Sequence, residues 1–170
     1  LDASVTVLEE AFKEFEKEFG RKYELVEGYM TQDAAVVLVA LGSMCGTAQY
    51  VVTQMRKEGK KVGLLKVTVF RPFPAKLVGS ASVVGVFDRS AGLGGDGGPV
   101  FYEICSALRN QPTQVYHYVG GIGGRDVRVE TIEMIYDELL AIKAGETTQH
   151  TEWIDLKEDA LELREVIKNV

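Results

Sequence analysis

The chain has 170 residues, 46% of them hydrophobic, with a net charge of −6 and an acidic pI of about 5.0. That length suits one domain with a peripheral extension and supports a normal core. The acidic balance argues against a nucleic-acid partner, which needs clustered Lys and Arg, and no apolar run reaches the ~20 residues that span a bilayer.

The first 20 residues read as a helix: Leu8, Phe12, Phe15 and Phe19 recur at helical spacing between Glu and Lys, and Gly20 ends it. Tyr23–Tyr29 alternates loosely and reads as an edge strand. A continuous Val-rich run follows, predicting a strand at about 35–41 that is buried on both faces. Gly46–Glu58 is a helix with Ala48, Val51, Val52 and Met55 on its apolar face. The next strand is expected at about 62–69, and Pro72 and Pro74 break the chain after it. A further strand at about 83–88 leads into the glycine loop "AGLGGDGG". Pro99–Leu108 is a helix with Val100, Phe101, Ile104, Cys105 and Leu108 inward. The last expected strand is about 115–119, followed by "GGIGGRD" and a helix marked by Ile132, Ile135, Leu139 and Ile142 and closed by Gly145. A polar linker, Glu146–Thr151, precedes an amphipathic helix carrying Leu156, Ala160, Leu163 and Ile167. The expected division is a domain over 1–150 and a helical extension over 151–170.

Alternating strands and helices imply crossover connections and a mostly parallel sheet covered on both faces. Ligands and partners of such sheets meet the loops at the carboxyl ends of the strands. Here those loops are Gly42–Thr47, Arg71–Pro74, Arg89–Gly98 and Gly120–Asp126.

Two fingerprints overlap in the first glycine loop. Gly92, Gly94 and Gly97 spell G-x-G-x-x-G, but the loop follows a late strand, and the strand after the next helix ends without an acid for a ribose. Gly95-Asp96-Gly97 spells the G-D-G of thiamin-diphosphate sites, but no Asn lies about thirty residues on. A lone Asp supplies too little of magnesium's oxygen shell. The loop therefore reads as a turn that lets the backbone approach another surface, with a weak anion site at the start of the following helix.

Ser43 sits one place too early for a nucleophile elbow. Cys45 lies near a helix start, which could lower a thiol pKa, and reads as a structural thiol. His117 reads as a packed, hydrogen-bonded ring and His150 as solvated. Arg125 and Asp126 suit a loop ion pair and a helix cap. Cys45 and Cys105 lie far apart, so there is no disulfide framework and no C-x-x-C pair for zinc or an iron–sulfur cluster. A reducing cytoplasm is the expected location. No signal-peptide pattern opens the chain, and its first residue is Leu rather than Met, so a piece of a longer polypeptide is expected.

The ordered loops "VVLVALGS", "VTVFRPFP", "VFDRSAGLGGDGGP" and "GGIGGRD", with "TEWIDLK" near the end, resemble the C-terminal half of the alpha chain of pyruvate (2-oxoacid):ferredoxin oxidoreductases, over about Ala3–Lys157. The resemblance implies a transketolase C-terminal-like α/β fold. That is a three-layer αβα arrangement with a five-stranded, mostly parallel sheet, strand order first, third, second, fourth, fifth, and Tyr23–Tyr29 as its antiparallel edge. It implies a preceding alpha-chain domain and beta, gamma and delta chains as partners, with ferredoxin served by the whole enzyme. Thiamin diphosphate, Mg2+, iron–sulfur clusters and coenzyme A belong to that whole enzyme. Their motifs are missing from this chain, so it is expected to bind no cofactor or metal and to be inactive alone. The strand-end residues Ser43, Arg71, Phe73, Arg89, Gly94, Gly97, Arg125 and Asp126 are then candidates for interface or anion contact. The rival reading is a stand-alone α/β module binding a nucleotide or other anion at these loops.

Overall fold

The computed structural model describes residues 2–75, 81–148, 150–154 and 156. Helix α1 spans Asp2–Phe19, strand β1 Val26–Tyr29, β2 Val36–Leu41 and helix α2 Met44–Lys57. Strand β3 is Val62–Val67, β4 is Val83–Asp88, α3 is Pro99–Leu108 and β5 is Gln114–Val119. A 3₁₀ turn at Ile122–Gly124 leads to α4, Val129–Lys143, and β6, Thr151–Trp153.

The sheet order is β1-β3-β2-β4-β5-β6. Among the described residues only β1 is antiparallel to its neighbour, with Val26 opposite Val67; the other described pairs are parallel. The expected order of the first five strands holds. The count of five does not: Thr151–Trp153, expected at the end of a linker, adds a sixth strand beside β5. The antiparallel edge is also shorter than Tyr23–Tyr29, because the Tyr23 ring turns back to α1, 5.5 Å from Phe15 and 6.2 Å from Phe12. The amphipathic helix expected around Leu156–Ile167 lies, but for Leu156, outside the described residues.

Val36, Leu38 and Ala40 point to one face of β2, Val37 and Val39 to the other, and all are buried. Alternation of side chains along a strand thus feeds two cores from one Val-rich run. On one face α2 and α4 close over Leu38, Leu64, Tyr118 and Phe87 through Val51, Met55, Ile132, Ile135 and Leu139. On the other, α3 lays Val100, Ile104 and Leu108 against Val39, Val86 and Leu65. Phe101 and Cys105, expected inward on α3, are only half-buried. The three-layer αβα arrangement is complete without α1, whose apolar residues Val5, Leu8, Phe12 and Phe15 are no more than half-buried.

The chain leaves β2 toward β3 on one side and later returns to place β4 on the other, so strand order reverses between β2 and β4. This reversal parts the following loops and opens a crevice at the carboxyl edge.

Candidate functional site

A pocket of about 220 Å3 occupies that crevice, walled by Leu41, Met44, Phe70, Phe87 and Val100, with Asp88 and Arg89 among its polar residues. A neighbouring pocket of about 260 Å3 brings together Ser43, Thr47, Arg89, Arg125 and Asp126. Four of the eight candidate residues therefore share one surface.

The start of α3, where a phosphate would sit, is filled from within. Asp88, 3% exposed at the end of β4, accepts the Val100 N–H on Oδ1 at 3.2 Å and the Phe101 N–H on Oδ2 at 2.9 Å. These are two of the amide groups an α-helix leaves unpaired at its N-terminus, and a carboxylate there also meets the positive end of the helix dipole. The Gly98 N–H donates to His117 Nε2 at 3.3 Å, and the same nitrogen lies 3.3 Å from Asp88 Oδ2. The Phe101 ring stacks on the imidazole at 4.6 Å. A Cβ on Gly98 would overlap the Asp88 carboxyl group, so this close packing requires glycine. The weak anion site expected at this helix start is thus taken by the chain's own carboxylate.

The glycine loop folds on itself. The Gly92 N–H donates to the Gly97 carbonyl at 3.0 Å, and the Gly95 N–H to the Gly92 carbonyl at 3.2 Å. Gly97 is buried under the Phe101 ring. Gly94 has φ +69° and open space where a side chain would be. Leu93 projects into solvent beside it, fully exposed. The Asp96 carbonyl accepts the Thr151 hydroxyl at 3.0 Å, which ties this loop to β6.

The arginines serve structure first. Arg89 donates from Nε and Nη2 to the Gly121 carbonyl at 3.3 and 3.0 Å, linking the two glycine loops. Arg71 lies across the crevice, paired through Nη2 with Glu103 of α3 at 2.7 Å, its guanidinium 4.1 Å from the Phe70 ring centre. Phe73 packs edge-on to Phe70 at 6.3 Å, against the α3-side core. Asp126 is not the N-cap of α4: that residue is Arg128, whose side chain makes no capping hydrogen bond.

The remaining candidates are structural. Cys45 is 3% exposed, and burial pushes its thiol up to about 11, away from a reactive thiolate. His117 is 1% exposed, and its Nδ1 meets no partner among the described residues. His150 is exposed and stacks on Tyr116 at 5.4 Å. Among the described residues no three His, Cys, Asp or Glu side chains gather to hold a metal. With the helix start occupied by Asp88 and Asp96 outside any such group, the residues present do not fit a diphosphate–magnesium centre. The signal missed in the sequence was Asp88 itself, a carboxylate ending an apolar strand shortly before a helix that begins at Pro99.

The family model for the pyruvate:ferredoxin oxidoreductase core domain II matches residues 34–132. The pyruvate synthase subunit PorA of Methanothermobacter thermautotrophicus is 40% identical over 165 residues, covering 94% of this chain and 41% of that protein. The chain spans about two fifths of the length of the curated relatives it matches. Two solved structures share the fold. A split-gene transketolase, described as an inactive beta4 tetramer, aligns with a TM-score of 0.53 at 15% identity over 73% of this chain and 45% of that one. A 2-oxoglutarate:ferredoxin oxidoreductase from Magnetococcus marinus aligns at 0.50 and 18% identity over 75% of this chain and 21% of that one. The matched residues include β2 to β5, the crevice at the strand reversal and the glycine loop; the chain belongs to the pyruvate:ferredoxin oxidoreductase core domain II family.

Proposed function

We propose that this chain is a non-catalytic interface domain from the alpha chain of a pyruvate (2-oxoacid):ferredoxin oxidoreductase. The whole enzyme would convert pyruvate, coenzyme A and oxidised ferredoxin into acetyl-CoA, carbon dioxide and reduced ferredoxin. Thiamin diphosphate, Mg2+, iron–sulfur clusters and coenzyme A would be bound by other parts of that enzyme. The partners would be a preceding alpha-chain domain and beta, gamma and delta chains, in the cytoplasm. No helix among the described residues is long and apolar enough to cross a membrane. The organisation we propose is a domain over 1–150 with an extension over 151–170.

The single observation carrying this reading is the Asp88 carboxylate on the α3 N-terminus. The family's fold is present, and a helix start at the crevice that could take an anion is closed by a buried acid. The same carboxylate argues against a stand-alone nucleotide module, since a phosphate would meet a like charge there. What the carboxyl edge offers instead is apolar and projecting: Leu93 is fully exposed and Ile122 is 44% exposed, each at the tip of a glycine loop. Apolar tips on rigid loops suit burial against a protein surface.

The test is to mix the chain with the remaining subunits of such an enzyme and follow co-elution, beside titrations with ATP, inorganic phosphate, and thiamin diphosphate with Mg2+. The expected outcome is co-elution without tight small-anion binding. Tight binding of any of these anions by the chain alone overturns the reading.

A further inference from the structure

The two pockets at the carboxyl edge meet at Met44 and Arg89, which line both. Together they form one hollow with an apolar half and a cationic half. The apolar half, about 220 Å3, is walled by Leu41, Phe70, Phe87 and Val100. The cationic half, about 260 Å3, is lined by Arg89, Arg125, Ser43 and Asp126. The whole chain carries 25 acidic side chains against 19 lysines and arginines. Here that balance is reversed, because two arginines stand against one acid.

Arg89 serves the fold with one edge only. It is exposed, and its Nε and Nη2 donate to the Gly121 carbonyl at 3.3 and 3.0 Å. That contact fixes the direction of the planar guanidinium. Among the described residues nothing is bonded to its Nη1, and the remaining N–H groups form a fork that matches the two oxygens of a carboxylate. Gly121 makes this possible: its φ is +65°, and a Cβ there would lie 2.9 Å from Arg89 Nε and 3.5 Å from the Arg125 carbonyl. Arg125 is exposed and lines the same half of the hollow. Ser43 is exposed too, and its hydroxyl makes no capping bond to α2. Arg71, across the crevice, is held instead by Glu103 at 2.7 Å.

The surroundings select the anion. At the start of α2 the Cys45 N–H donates to the Gly42 carbonyl and the Gly46 N–H to the Ser43 carbonyl, both at 3.2 Å, so these amides are not available to a phosphate. Asp126 on the same wall repels a dianion more than a monoanion. A singly charged carboxylate fits, and the adjoining apolar half suits a hydrocarbon side chain next to it. We propose that this hollow is a socket for an acidic segment of a partner protein. An Asp or Glu carboxylate of the partner sits on Arg89 and Arg125, and a neighbouring apolar side chain enters the crevice between Leu41, Phe70, Phe87 and Val100. This rests on the interface role proposed above and names the chemistry of the surface that meets it.

The test titrates the 170-residue chain against the remaining subunits of such an enzyme, with far-UV circular dichroism and Tm of every variant as the check on the fold. Arg89→Lys keeps the charge and loses the fork, and should weaken binding about tenfold; Arg125→Glu should weaken it at least as much. Arg21→Glu, an exposed arginine beside Phe15 and outside both pockets, should leave the affinity within about twofold. In Arg125→Lys a carbodiimide should couple position 125 to an Asp or Glu of the partner, identified by mass spectrometry. Parent affinity in both Arg89→Lys and Arg125→Glu overturns the socket and leaves the interface role standing. An equal loss in Arg21→Glu also overturns it, since the effect is then one of general charge. A chain that joins no subunit overturns the interface role and the socket with it. Hexanoate should not raise the Tm of the parent; a rise that vanishes in Arg125→Glu would assign the hollow to a free carboxylate and overturn the protein partner.

Discussion

Replacing Asp88 by alanine should do two separable things. It removes the acceptor of the Val100 and Phe101 N–H groups, and it opens the start of α3. Loss of a helix N-cap costs about 0.5–2 kcal/mol. A buried N–H left without an acceptor costs about 1–3 kcal/mol. Val100 is buried and Phe101 half-buried, so the larger penalty falls on the first, and the two effects overlap because the cap is the bond. The expected loss is ~3 kcal/mol, read by urea unfolding or as a fall in Tm of about 6–12 °C. Asp88→Asn keeps one acceptor oxygen and should lose ~1 kcal/mol. The vacated helix start should then act as an anion site. Inorganic phosphate should raise the Tm of Asp88→Ala well beyond a chloride control of equal ionic strength, and leave the parent unchanged. An Asp88→Ala chain within ~0.5 kcal/mol of the parent would refute the cap. A parent stabilised by phosphate as strongly as the variant would refute the occupied helix start.

Other changes probe the same edge. Gly94→Val should cost the isolated chain about 1–3 kcal/mol because φ is +69° there, and in the assembled enzyme extra thiamin diphosphate and Mg2+ should restore nothing; rescue would mark the loop as a cofactor cradle. Arg71→Ala breaks a pair whose arginine is 53% exposed, so chain stability should fall by less than ~1 kcal/mol, and a loss several times larger would show that the pair holds α3 in place. Tyr136→Phe removes the buried donor to the Gly63 carbonyl at 2.9 Å and should cost about 1–3 kcal/mol in a urea titration. Cys45 should resist thiol reagents in the native chain at pH 8, since its pKa is about 11 and it is 3% exposed; rapid native-state labelling at Cys45 would contradict its burial.

The four parallel strands expected at about 35–41, 62–69, 83–88 and 115–119 are all present, and the clearest are those buried on both faces. Val36–Leu41 is apolar throughout, and Val62–Val67 and Val83–Asp88 are apolar but for Lys66 and the terminal Asp88, because each feeds two cores. β6 was not legible, because Thr-Glu-Trp at a sheet edge has no apolar run and is defined by its ladder to β5. Tyr23 alternates like a strand residue but packs on Phe12 and Phe15, a contact between segments that periodicity does not record. The placement of Ser43, Arg89, Arg125 and Asp126 on one surface followed from strand direction alone. The Asp88–Gly98–His117 arrangement did not, because it joins three segments and appears only when β4 and β5 lie side by side. Pro99 was readable as a helix start, yet what satisfied that helix start lay eleven positions earlier, at the end of a different element.

Whether this domain is silent by itself can be decided in one assay. The 170-residue chain is supplied with pyruvate, coenzyme A, thiamin diphosphate, Mg2+ and a viologen dye, and dye reduction is followed beside a complete 2-oxoacid:ferredoxin oxidoreductase. The expected rate is that of the blank, because no group of metal-holding side chains gathers among the described residues and the chain's own carboxylate occupies the α3 helix start. Pyruvate- and coenzyme A-dependent dye reduction above the blank would contradict a non-catalytic role.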